Sequence, residues 1–280
     1  MSKWRPVPGA IGAIYVIPDI HGCLEQLELI CKRIIPLRRS DGGKDKLVFL
    51  GDYIDRGPDS YGVIEFLISL KKDYGDQIVF LRGNHEDMLL TALDKSDHDS
   101  SVFESSAYSM WMQNGGAVTL NQYAEKKLGS KINPYEFSKN RLADVIPESH
   151  VNFLLETECY HEHDNYIFVH GGCDPNKPLN QQNKLHMMWD RSLFEVVKRF
   201  TISNKELPWD KTVITGHNYK GPFINEKFMM LDCSANKKLI VIELNSMDGF
   251  EAKIDKKKLV KCSFKQTIIS KRHAFRRANI

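Results

Sequence analysis

Short apolar runs and helix-period stretches alternate over the first 86 residues. Residues 12–18, 46–50 and 77–81 each read as a buried strand, and each ends in a turn carrying acidic or amide side chains. Between them, residues 24–35 and 61–71 repeat apolar positions at the three-to-four spacing of an amphipathic helix. Strand and helix in alternation predict a layered α/β fold. From 86 to 157 the pattern becomes mostly helical, with stretches at 87–94, 102–113, 119–127 and 141–155 interrupted by Gly115-Gly116, Pro134 and Pro147. Strand-like runs return at 166–169, 212–215, 228–231 and 239–244, which predicts a second sheet.

Composition adds a core of ordinary size, since 42% of the 280 residues are hydrophobic. The reading is one catalytic domain over residues 1–255, holding the helical insertion at about 86–157, followed by a basic segment at 256–280. Charge is uneven: residues 251–280 carry ten Lys or Arg against Glu251 and Asp255, so the body is near −5 and the tail near +8. Such a tail can contact a polyanion, but Ile254, Leu259, Val260 and Phe264 are interleaved with the charges, which favours a folded edge. No run approaches the roughly 18 apolar residues of a membrane span, and the first residues lack the apolar stretch of a secretory leader. A cytoplasmic location is therefore expected. The six cysteines form no Cys-x-x-Cys pair and read as reduced thiols.

Chemistry gathers at the strand ends. In Asp19-Ile20-His21 the two polar residues are separated by one, so on extended backbone both side chains share a face and can bind one ion. The next turn, Gly51-Asp52-Tyr53-Ile54-Asp55-Arg56-Gly57, offers a carboxylate able to bridge two cations and a guanidinium fork suited to phosphate oxygens. A third strand delivers Arg82-Gly83-Asn84-His85-Glu86, with another guanidinium, an amide oxygen for a metal and an imidazole. Each piece alone is a common turn or helix start. Together they place N and O ligands at three successive strand ends, where α/β sheets bind ligands.

With Val169-His170-Gly171-Gly172 and Gly216-His217-Asn218 added, these segments resemble the phosphoprotein phosphatases of the binuclear metallophosphoesterase superfamily, and most closely its bacterial and phage members. The resemblance runs in order from residue 14 to 244. It implies a two-sheet β-sandwich flanked by helices, and two divalent ions. It further implies that Asp19 and His21 hold one ion, Asp52 bridges, and Asn84, His170 and His217 hold the second. His85 would then protonate the leaving alcohol with Asp55 orienting it, while Arg56, Arg82 and, in Trp189-Asp190-Arg191, Arg191 would bind phosphate oxygens. Pro18, Asn218 and Leu231-Asp232-Cys233-Ser234 depart from the family's usual residues without removing a ligand.

Physical chemistry agrees with that assignment. Two ions sharing a water lower its pKa from about 16 towards 7 and aim a hydroxide at phosphorus. A ligand set of imidazole, carboxylate and amide oxygen suits Mn(II), with Fe or Zn as alternatives. The expected activity is hydrolysis of phosphoserine or phosphothreonine in a phosphoprotein or phosphopeptide. Two other readings remain open: a dinucleoside polyphosphate hydrolase, in which Ala would be expected before Arg56 and Asp after His85, and a non-catalytic metal-binding or nucleic-acid-associated module.

Overall fold

The structure is a computed structural model that describes residues 12–35, 45–98, 106–163, 165–202, 210–218, 221–225, 227–234, 238–253 and 259–263. In chain order it begins β1 (Ile14–Ile17), α1 (Leu24–Ile34), β2 (Lys46–Phe49), α2 (Ser60–Tyr74) and β3 (Ile78–Phe80). The helical insertion then supplies α3 (Asn84–Ala92), α4 (Ala107–Trp111), α5 (Ala117–Leu128), α6 (Leu142–Val145) and α7 (Glu148–Leu155). Next come β4 (Tyr160–His163), β5 (Tyr166–Val169), α8 (Lys184–Trp189), α9 (Leu193–Ile202) and β6 (Thr212–Thr215). The chain closes with β7 (Phe223–Ile224), β8 (Phe228–Met230), β9 (Lys238–Glu243), β10 (Asp248–Lys253) and β11 (Leu259–Ser263).

The strands form two mixed sheets, ordered β11-β10-β9-β1-β2-β3 and β4-β5-β6-β8-β7. β1, β2 and β3 pair in parallel, as do β5, β6 and β8. Alternation along each strand serves different cores. Val16 and Val48 meet Phe168, Ile214 and Met229 between the sheets, whereas Ile17 and Phe49 pack under α1 and α2 with Leu27, Ile30, Val63 and Leu67. Ile167, Val169 and Val213 face outward onto Met187, Leu193 and Val197 of α8 and α9. Strands buried on both faces must be continuously apolar, which is why these segments show runs rather than alternation. Each fully buried Leu or Ile contributes about 2 kcal/mol by leaving water.

Two helix boundaries are chemically marked. Asp59 caps α2 by accepting from the Gly62 N–H at 2.8 Å, and Gly129 ends α5 in the left-handed region. The basic tail contributes β11, whose residues pair antiparallel with β10 at the sheet edge. Residues 264–280 lie outside the described set, and the expected polyanion contact rests mainly on them. No helix among the described residues is long and apolar enough to cross a membrane. All six cysteines are free thiols, and none pairs.

Candidate metal centre

The site lies at the C-terminal ends of β1, β2, β3, β5 and β6, where the turns are locally unusual. Seven non-glycine residues among those described have positive φ, and five of them are His21, Asp52, Asp55, Arg56 and His217. Such conformations persist only where the surroundings hold them, and they cluster at functional sites. Here the restraint is visible. The Asp52 carbonyl accepts from the N–H groups of Ile20 and His21 at 2.9 and 2.8 Å, locking the first two strand ends together. The fully buried Glu86 carboxyl accepts from the N–H groups of Asp52, Tyr53 and Gly83 at 2.8, 2.7 and 2.9 Å, fixing the second strand end to the third. Burial, followed by the neighbouring Asp52 charge, pushes Glu86 up to about 7. Gly51, at φ 101°, passes so close to Gly83 that a Cβ would sit 2.5 Å from its nitrogen, so no larger residue fits.

These turns bring all six expected ligands into one buried cluster. Asp52 straddles it: Oδ2 is 3.6 Å from His21 Nε2 and Oδ1 is 3.3 Å from His170 Nε2. Asn84 Oδ1 lies 3.3 Å from the same His170 nitrogen. Asp19 accepts from the His217 N–H at 2.9 Å, tying the first sheet to the second. Two groups of potential ligands have donor atoms within 4.8 Å of one another, His21 with Asp52 and His85, and Asp52 with His170 and His217. Asp52 belongs to both.

The donor set fits divalent ions. His21 Nδ1 is 2.9 Å from the Ile54 carbonyl and His170 Nδ1 is 2.7 Å from that of Leu50, so each Nδ1 donates to the backbone and each Nε2 faces the cleft. Arg56 Nη1 donates to His21 Nε2 and Arg191 Nε donates to His217 Nε2, both at 2.9 Å, so these imidazoles act as acceptors. Burial drives His21 down to about 3, aided by His85 and Arg56, and drives His217 down to about 3, aided by His170 and Arg191. For His170 burial also disfavours the cation, but the Asp52 and Asp19 carboxylates outweigh it and push the group up to about 10. Burial of Asp19, with Asp232 and Asp52 nearby, holds its carboxyl well above the usual range. Asp52 goes the other way, because His170, His85 and His21 overcome its desolvation. Carboxylates crowded out of water in this way are relieved by cations.

His85 occupies a different position. Its ring is wholly buried with Nδ1 2.7 Å from Asp55 Oδ2, and its backbone N–H donates to Asp52 Oδ1 at 3.1 Å. Nε2 has no hydrogen-bond partner among the described residues and lies 3.9 Å from Asp52 Oδ2. A buried polar atom left in this way beside a ligand cluster points to a group that arrives with metal or substrate.

The three arginines separate. Arg56 and Arg191 are exposed at the rim, each touching a site imidazole. Arg82 is 1% exposed and points away: Nε donates to Thr157 Oγ1 at 3.1 Å, Nη2 to the Leu155 carbonyl at 2.9 Å, and Nη1 to Asp97 at 2.5 Å. This corrects the expectation that Arg82 binds phosphate. Asn84 already belongs to α3, so strand alternation does not carry over to it from Arg82, and the Arg82 side chain instead fastens the end of β3 to the end of the insertion. Arg82→Met should therefore lower unfolding free energy by about 2–3 kcal/mol, because buried acceptors lose their donors, while the Michaelis constant for phosphate substrates stays unchanged. Denaturant unfolding beside steady-state kinetics checks this, and a stable protein with a raised Michaelis constant would restore the original expectation.

Sequence alone gives Glu86 and Thr119 no role, and gives Trp111 no more than a place bordering the site. Glu86 follows the ligand segment directly, which was the available signal. Trp111 and Thr119 flank the Gly115-Gly116 pair, whose significance only their contacts show.

Comparison with known proteins follows this geometry. Residues 12–226 match the family described as calcineurin-like phosphoesterase. Serine/threonine-protein phosphatase 1 of Salmonella typhimurium is 29% identical over 211 residues, covering 74% of this chain and 78% of its own. The symmetrical bis(5'-nucleosyl)-tetraphosphatase of Nitrosospira multiformis is 24% identical over 212 residues, covering 74% of this chain and 61% of its own. Among solved structures, the cold-active protein-tyrosine phosphatase of a Shewanella species superposes with a TM-score of 0.51 at 17% identity, covering 92% of this chain and 83% of its own. That likeness shows the fold.

Proposed function

We propose that this chain, which belongs to the calcineurin-like phosphoesterase family, hydrolyses phosphoserine and phosphothreonine in proteins or peptides. The observation that carries this reading is the buried Asp55–His85 pair, with His85 Nε2 turned towards the cluster that Asp52 divides. Leaving-group chemistry explains why. A phosphoanhydride departs as a phosphate whose second pKa is about 6 and needs little protonation, whereas a serine alkoxide is strongly basic and needs a proton donor. An oriented imidazole therefore suits an alcohol ester. Asp55 before Arg56 and Glu86 after His85 support the same side, since the dinucleoside hydrolases are expected to carry Ala and Asp there.

In this reading Asp19 and His21 would hold one ion, Asn84, His170 and His217 would hold the other, and Asp52 would be shared between them. Two divalent ions, Mn(II) with Fe or Zn as alternatives, supply when bound the Lewis acidity that activates water and neutralises phosphoryl charge. Arg56 and Arg191 bind and orient the phosphate oxygens from the rim. His85 gives the proton at Nε2 to the leaving oxygen, and Asp55 keeps Nδ1 protonated and stabilises the imidazolium before that transfer. The insertion at 86–157 roofs the site, and residues 1–255 are assigned as the catalytic unit. Reduced cysteines suit the cytoplasm, where we place the protein.

The test is a parallel assay of metal-loaded protein on a phosphothreonine peptide and on diadenosine tetraphosphate. The peptide should give the larger kcat/KM by at least tenfold. Preference for the dinucleotide would overturn the substrate assignment in favour of the second reading, which the Nitrosospira relative keeps in view.

A further inference from the structure

The Asp55 carboxylate is wholly buried and receives three donors. His85 Nδ1 reaches Oδ2 at 2.7 Å, Trp111 Nε1 lies 3.0 and 3.1 Å from the two oxygens, and Thr119 Oγ1 lies 2.7 Å from Oδ1. The carboxylate can only accept, so the single hydroxyl hydrogen of Thr119 goes to it. The Thr119 oxygen in turn accepts from the Asp55 N–H at 3.0 Å, and Ser60 Oγ is also 3.0 Å away. One side chain of the insertion thus grips both the backbone and the carboxylate of a residue held at φ 71°.

The turn that presents these two side chains is itself shaped for the task. Between α4 and α5 the chain kinks over Met112–Gly116, where Gly115 leaves the helical region at φ 111°. A Cβ on Gly115 would lie 2.8 Å from Arg56 Cγ, and one on Gly116 would lie 2.5 Å from the Trp111 ring. The kinked turn therefore lies close against Arg56 while the indole N–H reaches Asp55.

We propose that Trp111 and Thr119 are positioning residues for proton transfer, fixing the Asp55 carboxylate so that His85 Nε2 is aimed at the leaving oxygen. The insertion is then a working part of the proton-transfer machinery as well as a roof. This rests on the reading of His85 as the acid. With either donor removed the carboxylate can rotate, and the imidazole it holds rotates with it.

The experiment compares kcat/KM on a phosphothreonine peptide and on p-nitrophenyl phosphate, whose leaving group has a pKa of about 7. Trp111→Phe keeps the ring and deletes the N–H, and Thr119→Val keeps the shape and deletes the hydroxyl. Each should lower peptide turnover about tenfold, the scale of orienting contacts behind a site, and p-nitrophenyl phosphate turnover by no more than about threefold. Thr119→Ser should restore the peptide rate, and metal content should stay at two ions throughout. Equal losses on both substrates, or no rescue by Thr119→Ser, would overturn the inference in favour of a packing role. Trp111→Phe stands alone if Thr119→Val does not fold. His85→Asn serves as the reference: if it shows the substrate bias and Trp111→Phe does not, this inference fails by itself, whereas no bias in His85→Asn removes the underlying reading as well.

Discussion

Asp52→Asn is expected to lose metal and activity together, with kcat/KM falling about a thousandfold or more. The carboxylate offers one oxygen to each half of the cluster, 3.3 Å from His170 Nε2 and 3.6 Å from His21 Nε2. An amide keeps a single acceptor oxygen and turns an NH2 towards the other half, so one side loses its anionic ligand and both lose a shared charge. Metal stabilisation of a phosphoryl transition state amounts to several kcal/mol, and a thousandfold loss corresponds to about 4. Arg191→Ala provides the contrast, because Arg191 is exposed and touches His217 from the rim. It should keep two ions, and its defect should fall mainly on the Michaelis constant. Elemental analysis beside kinetics separates the two, and two ions retained by both variants would remove Asp52 from the bridging position.

His85→Asn should show the second large effect, and it should depend on the substrate. General acid catalysis is worth about 10²–10⁴-fold where the leaving group needs its proton. The phosphopeptide should lose activity on that scale, while p-nitrophenyl phosphate, with its acidic leaving group, loses far less. Metal content decides between two meanings of the loss, since His85 lies within ligand distance of His21 and Asp52. Two retained ions with a biased loss assign the proton transfer to His85. Equal losses accompanied by missing metal would make it a ligand, and the acid would have to be another group.

Sequence carried the architecture furthest where burial was most uniform. β1, β2 and β3 are apolar on both faces and end in Gly- and Asp-bearing turns, so their extents agree with the structure to within one or two residues at each end. The six expected ligands come together because each sits one to four residues beyond a strand end, where local order nearly determines direction. Arg82 misled for a related reason. It stands two residues before Asn84, but α3 begins at Asn84 and breaks the strand alternation that would relate the two, and only the contacts to Thr157 and Leu155 reveal which way Arg82 turns. α8 and α9 have no clear sequence signal between His170 and β6, although the Trp189-Asp190-Arg191 segment that ends α8 does. β10 and β11 are hard to read because polar and charged residues interrupt the apolar alternation of DGFEAK and LVKCS, β11 being the edge strand and β10 its neighbour. Thr119 could not be read at all, because its meaning lies in a contact with Asp55 across 64 residues.

On the proposed mechanism this protein works through two ions held by the cluster that Asp52 divides. The direct measurement is activity during stepwise addition of Mn(II) to chelated protein, with bound metal determined at each step. Turnover of the phosphopeptide should be negligible without metal, rise on addition, and level off as bound metal reaches two ions per chain. Full activity in the chelated protein, or a plateau reached with one ion bound, would contradict the account.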